Sequence, residues 1–119
     1  MKYKVAALTL DIERTRKENM NAALSLIDEA VNDWNVKAVC LPEFFNTSVP
    51  TDSTTKDDLL KVAEPVPGPI TDAISAKAEK HKIYIVAGSI VEKAGDKLYD
   101  TCPFIGPNGK LIGKVSVAN

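Results

Sequence analysis

Glu43 is the residue of this chain whose setting points most directly to chemistry, because it follows a short apolar run in Leu41-Pro42-Glu43-Phe44-Phe45. In open α/β sheets, ligands collect at the carboxyl ends of parallel strands, and a carboxylate in this position stands at such an end. Flanked by Pro42 and two phenylalanines, it is expected to be partly desolvated, which raises a carboxylate toward the range useful for a general base. On spacing alone, a plain surface glutamate outweighs that reading, since charged side chains mostly stay solvated.

The other reactive side chains read as structural. His81 stands between Lys80 and Lys82 at the end of a helical pattern, where a cation is favourable against the helix dipole, so it is expected to be a solvated helix-end residue. Cys40 and Cys102 lie in strand-like apolar contexts and are expected to be two reduced, buried thiols. Cys40 precedes Glu43 by three positions, which in an extended strand puts the two side chains on opposite faces and argues against a thiol–carboxylate pair. Cys102 lacks the helix N-terminus or cationic neighbour that lowers a thiol pKa. One histidine and two separated cysteines do not make a zinc site, so neither a metal nor another cofactor is expected. Gly106, Gly109 and Gly113 precede a strand and not a helix, so they read as turn residues and not as a phosphate loop.

The elements that must position Glu43 follow from the apolar pattern. Tyr3 to Leu10 is a nearly continuous apolar run, as in a strand covered on both faces. Thr15 and Glu18 have capping-box spacing, and Met20, Ala23, Leu24, Ile27, Val31 and Trp34 recur at helical intervals, predicting a helix over Thr15 to Trp34. Val36 to Leu41 is again strand-like, so the three segments make a right-handed βαβ crossover. From Phe45 to Pro69 turn formers dominate around one short helix at Lys56 to Ala63, and a loop of that length is a candidate pocket wall. A helix beginning at Ile70 and ending near Lys82, then a strand over Ile83 to Val91, form a second unit. Gly95-Asp96 and Gly106-Pro107-Asn108-Gly109 then mark tight turns between antiparallel strands at Leu98 to Ile105 and Leu111 to Val117. The expected fold is α/β, with a mixed sheet of βαβ crossovers followed by an antiparallel meander.

Bulk composition narrows the function classes. The 119 residues carry 15 Lys plus Arg against 16 Asp plus Glu, a net charge of −1, which with no basic block disfavours nucleic acid and anionic membrane as partners. The length suits a single domain over residues 1–119. The opening Met1-Lys2-Tyr3-Lys4 and Val5 to Leu10 are too short and too interrupted for a signal peptide, and no run reaches the ~20 residues of a membrane span, so a cytoplasmic protein is expected.

In order and separation, these segments resemble the N-terminal half of the carbon-nitrogen hydrolase family, the nitrilase and aliphatic amidase superfamily. The resemblance rests on Val5-Ala6-Ala7, Lys17-Glu18-Asn19, Leu41-Pro42-Glu43-Phe44-Phe45, Gly68-Pro69, Ala87-Gly88-Ser89, Leu98-Tyr99-Asp100-Thr101 and Pro107-Asn108-Gly109-Lys110-Leu111-Ile112-Gly113-Lys114. The family usually has Asn where Asp100 stands. The resemblance implies part of an αββα sandwich, a small-molecule amide or nitrile substrate, and self-association. It also implies a Glu-Lys-Cys mechanism in which Glu43 is the general base. In the family pattern after Gly113-Lys114, Val117 takes the place of the catalytic lysine and Asn119 that of a histidine, while Lys114 matches an earlier, noncatalytic lysine. Neither Cys40 nor Cys102 matches the family's nucleophile motif. The expected reading is a truncated hydrolase, inactive alone, and its rival is a noncatalytic α/β module that binds a small molecule or a partner.

Overall fold

The computed structural model describes residues 2–11, 15–47 and 53–118. Six strands form one mixed sheet: β1 (Val5–Ala7), β2 (Ala38–Cys40), β3 (Tyr84–Val86), β4 (Ile90–Ala94), β5 (Lys97–Ile105) and β6 (Leu111–Ala118). Three helices accompany them: α1 (Arg16–Trp34), α2 (Lys56–Val62) and α3 (Pro69–His81). β1, β2 and β3 pair in parallel through the α1 and α3 crossovers, and β5 runs antiparallel to β3, β4 and β6. This is the expected order of parallel crossovers followed by a meander.

The helix starts follow from local hydrogen bonding. Thr15 and Glu18 close a reciprocal capping box on α1, with Glu18 N–H donating to Thr15 Oγ1 at 3.2 Å. The stripe behind it buries Ala23, Ile27 and Ala30 in the core, but Trp34, the last residue of the helix, is 67% exposed. α1 and α3 pack on one face, over Val39, Ile85 and Ile105, and this is the main core. A smaller cluster of Phe44, Val91 and Leu98 lies on the opposite face at the β4–β5 end, under Leu59 and Val62 of α2.

Three expectations are corrected. The strand predicted over Ile83 to Val91 is broken into β3 and β4, both paired with β5, by one extra residue around Ala87-Gly88-Ser89, which shifts the register as a bulge does. The first strand is not covered on both faces: β1 is a three-residue edge strand whose Val5 is 71% exposed. Its apolar run fits a sheet face that only tertiary packing could cover. Finally, His81 is not solvated. Its ring Nε2 lies 2.6 Å from Asp28 Oδ1 while Lys77 Nζ lies 2.6 Å from Asp28 Oδ2, so a carboxylate on α1 captures two residues of α3. Among the described residues, no helix is long and apolar enough to cross a membrane.

Candidate functional site

β2 delivers Glu43, and the loop after it is fastened at three points. Leu41 N–H donates to Val86 O at 2.9 Å, extending the β2–β3 pairing one residue. Phe44 N–H donates to the buried Ser89 Oγ at 3.1 Å. Between these, Gly88 lets the bulge pass against the loop: its φ is +58°, and an added Cβ would lie 2.0 Å from the Pro42 carbonyl oxygen. The Ala87-Gly88-Ser89 segment therefore acts as a cradle for Leu41-Pro42-Glu43.

The two phenylalanines do not shield Glu43 as expected. Phe45 is fully buried in the helix-side core and Phe44 enters the cluster under α2, so the pair anchors the turn from both sides. Phe44 adopts a left-handed φ of 49°, an uncommon conformation for a bulky residue, compensated here by its burial and its bond to Ser89. Glu43 itself is left exposed. Burial agrees with the surface-glutamate reading, but position does not.

Glu43 lies on a pocket of about 340 Å³ with Cys40, Asp100, Cys102, Val115 and Val117. Its carboxyl is held above the usual glutamate range, first by partial desolvation against the pocket wall, then by the charge and hydrogen-bonding contact of the Asp100 carboxyl. Since Glu43 keeps solvent on one side, the neighbouring carboxylate is the more specific influence. Asp100 Oδ1 is buried and accepts no hydrogen bond from protein. Val117 pairs directly across from Asp100, so position 117 faces the same pocket as Glu43. Of the family pattern's two substituted positions, Asn119 lies outside the described residues.

The thiols are placed differently from expectation. Cys40 is exposed and not buried, because it ends β2 on the uncovered face of the sheet. It shares the pocket with Glu43, since the chain turns at Leu41-Pro42 and the alternation of an extended strand no longer applies. Cys102 is half-buried in the same pocket, its thiol pushed up by burial and by the neighbouring Cys40 and Asp100. That direction disfavours the thiolate a nucleophile needs. Cys40 on β2 and Cys102 on β5 are separated by β3, and two strand spacings of ~4.8 Å exceed the ~7 Å Cα limit for a disulfide.

The segment from Phe45 to Pro69 was expected to wall the pocket. Its residues 48–52 lie outside the described structure, and the rest lines other cavities: Lys56 and Leu59 a hollow of about 450 Å³ at the β5 start, and Asn46, Glu64 and Pro69 one of about 300 Å³ beside α1. The larger hollow lacks Glu43 and both thiols. Asp100 is the site residue that the strand pattern alone did not single out; its departure from the family's usual Asn was the available signal. Among the described residues, no group of three or more His, Cys, Asp or Glu side chains is placed to hold a metal ion.

Comparisons with known proteins agree with this geometry. A family model described as carbon-nitrogen hydrolase matches residues 4–116. The chain is 37% identical to the omega-amidase NIT2 of Danio rerio over 111 residues, 93% of this chain and 38% of that one. It is 35% identical to the omega-amidase NIT2 of Homo sapiens over 112 residues, 94% of this chain and 38% of that one. The chain thus spans well under half the length of these relatives. The crystal structure of Saccharomyces cerevisiae Nit3, a nitrilase-superfamily member, superposes with a TM-score of 0.72 at 28% identity, covering 87% of this chain and 39% of that one. An N-terminal amidase crystallised with an Asn-Glu peptide gives a TM-score of 0.81 at 20% identity over 96% of this chain and 27% of that one, a likeness of fold.

Proposed function

The chain belongs to the carbon-nitrogen hydrolase family, and from that premise we propose that it is the N-terminal, base-bearing portion of a hydrolase that cleaves amide or nitrile C–N bonds, with Glu43 as general base. The observation that carries the proposal is the fastening of Glu43 at the end of β2 into a pocket shared with Asp100 and position 117. A surface glutamate needs no such cradle. The names of the curated relatives favour the amide over the nitrile.

In the complete reaction, Glu43 would take the proton of a cysteine thiol as its sulfur attacks the amide carbon, and would return a proton to the departing nitrogen. Water would then attack the thioester, with Glu43 again accepting a proton. A raised carboxyl pKa suits both directions of that transfer, since the group must both take up a proton and release it. A lysine beside it would stabilise the tetrahedral oxyanion. Val117, facing the pocket, has no donor for that role, and burial pushes the Cys102 thiol up, away from the thiolate a nucleophile needs. These features support a chain that needs further polypeptide to turn over substrate. They also favour, as the second reading, a module that binds a small molecule at this pocket without cleaving it. A cytoplasmic setting fits two thiols that cannot reach each other.

The test is a chimera in which the C-terminal part of a related omega-amidase is joined after Lys114. Glu43→Gln keeps shape and hydrogen bonding but removes basicity. Ammonia release should fall by ~100- to 10,000-fold in an equally folded variant. Comparable rates in the two proteins would return Glu43 to an exposed, non-catalytic role.

A further inference from the structure

A second pocket, of about 300 Å³, lies between the N-terminal ends of α1 and α3. Asn46 and Ile70, both buried, form its floor, and the exposed Arg16 and Lys17 stand at its rim. The Asn46 side-chain oxygen accepts no hydrogen bond, although the residue is only 3% exposed. Native structures rarely leave a buried acceptor without a donor, because desolvation is then uncompensated. Glu64 lines the same pocket, and its Oε1 accepts the Ile70 N–H at 2.6 Å. Burial nevertheless pushes its carboxyl above the usual glutamate range; the Ile70 N–H and the Arg16 charge oppose this without prevailing, and Asp72 adds to it. At the rim the imbalance has the opposite sign. Arg16 and Lys17 occupy the first turn of α1, where the positive end of the helix dipole disfavours cations and favours anions. Arg16 is fixed there by donating from Nη1 to Lys61 O at 3.2 Å.

We propose that this pocket binds a free α-amino acid with a small apolar side chain, its ammonium on Glu64 and Asn46 and its carboxylate on Arg16 and Lys17. An ammonium supplies what the floor lacks, since it brings three donors and a positive charge. One donor satisfies the Asn46 oxygen, and the charge offsets the burial of Glu64. A carboxylate supplies what the rim lacks, because a guanidinium fork matches its two oxygens and the end of the helix favours its charge. The two ends are close enough for the Arg16 charge to act on Glu64, so the ligand must carry its opposite charges a few atoms apart, as an α-amino acid does. A lone cation or a lone anion serves one end only. Met20, Ile70 and Ala73 supply the apolar part of the lining, which suits an aliphatic side chain and not a third charge. The volume lies at the small end of small-molecule sites, as such a ligand requires. Glu43 and both thiols line a different pocket, so the site rests on no catalytic role for Glu43.

The probe is L-valine, compared with isobutylamine, which lacks its carboxylate, and isovalerate, which lacks its ammonium. In nitrogen–proton correlation spectra of the full chain, L-valine should shift the Ile70 backbone amide and the Asn46 side-chain amide saturably, with a Kd on the order of 1 mM. Each fragment should bind about tenfold more weakly or worse. Arg16→Gln should weaken L-valine about tenfold and leave isobutylamine unchanged, whereas Glu64→Gln, which keeps an acceptor for the Ile70 N–H, should weaken both. Lys37→Gln, exposed just before β2, should change neither. Spectra without ligand report whether each variant is folded, and Lys17→Gln takes the place of Arg16→Gln if that variant is not. No saturable shift at up to about 50 mM L-valine, shifts confined to other residues, or a fragment that binds as tightly as L-valine would overturn the proposal. So would binding indifferent to both the rim and the Glu64 variants.

Discussion

Asp100 is the neighbour that most distinguishes Glu43 from an ordinary exposed glutamate. The two carboxyls face one pocket, and the proton affinity of Glu43 is raised first by partial desolvation and then by the charge and hydrogen-bonding contact of Asp100. Asp100→Asn keeps the shape and removes the charge. Glu43 should then titrate at lower pH, read from its side-chain carboxyl carbon by NMR. An unchanged titration would assign the raised value to the pocket wall alone.

At the scale of elements, β6 is held in register by a buried polar knot. Glu92 on β4 is 3% exposed and accepts from Thr101 Oγ1 at 2.7 Å, from Ser116 Oγ at 3.3 Å and from Lys114 Nζ. Burial would raise its carboxyl, but the Lys114 ammonium and the hydroxyls outweigh it and hold the group below the usual range. Lys114 and Ser116 thus point to the helix side, which by alternation sends Val115 and Val117 to the open face. The two halves of the knot are not equivalent. Lys114→Met strands a buried carboxylate and should cost about 2 to 4 kcal/mol, whereas Glu92→Gln keeps the hydroxyl bonds and frees a lysine that can reach water, costing about 1 to 2 kcal/mol. Urea midpoints compare them, and equal losses would mean that Glu92 is not the strained partner. The tie between α1 and α3 is pH-sensitive in a definite direction. Desolvation opposes it, but His81, Lys77 and Lys80 together hold Asp28 below the usual aspartate range. Its stabilising contribution is full above about pH 5 and is lost as pH falls through the unfolded value near 4 to the depressed folded value. Asp28→Asn should remove that acid limb from a plot of unfolding free energy against pH. An identical slope in both proteins would show that the ion pair contributes no linkage.

For the whole molecule, the family sheet carries Glu43 after a strand end and presents valine at position 117 to the same pocket. The chain alone should release no ammonia from simple amides or nitriles above background. The loss of one oxyanion donor already costs on the order of 100-fold or more in turnover, and the Cys102 thiol in the same pocket is pushed up by burial. Enzyme-like rates from the purified chain, abolished by Glu43→Gln, would mean that residues other than those at positions 117 and 102 complete the site.

The amino-acid sequence by itself determined the crossover order, the capping box of α1 and the hairpins at Gly95 and Gly109. It also marked Glu43 as the carboxylate at a strand end. Each of these depends on local periodicity, turn chemistry or caps, and those interactions lie within a few residues of one another. Only the tertiary structure decided that Gly88 cradles Pro42, that Asp100 and Val117 meet Glu43, and that Asp28 takes His81 out of solvent. Those contacts join residues about fifty or more positions apart. Likewise, Cys40 and Val5 sit in apolar runs that read as buried, and both are exposed. An apolar pattern records that a strand face is fit to be covered; whether anything covers it depends on what packs there.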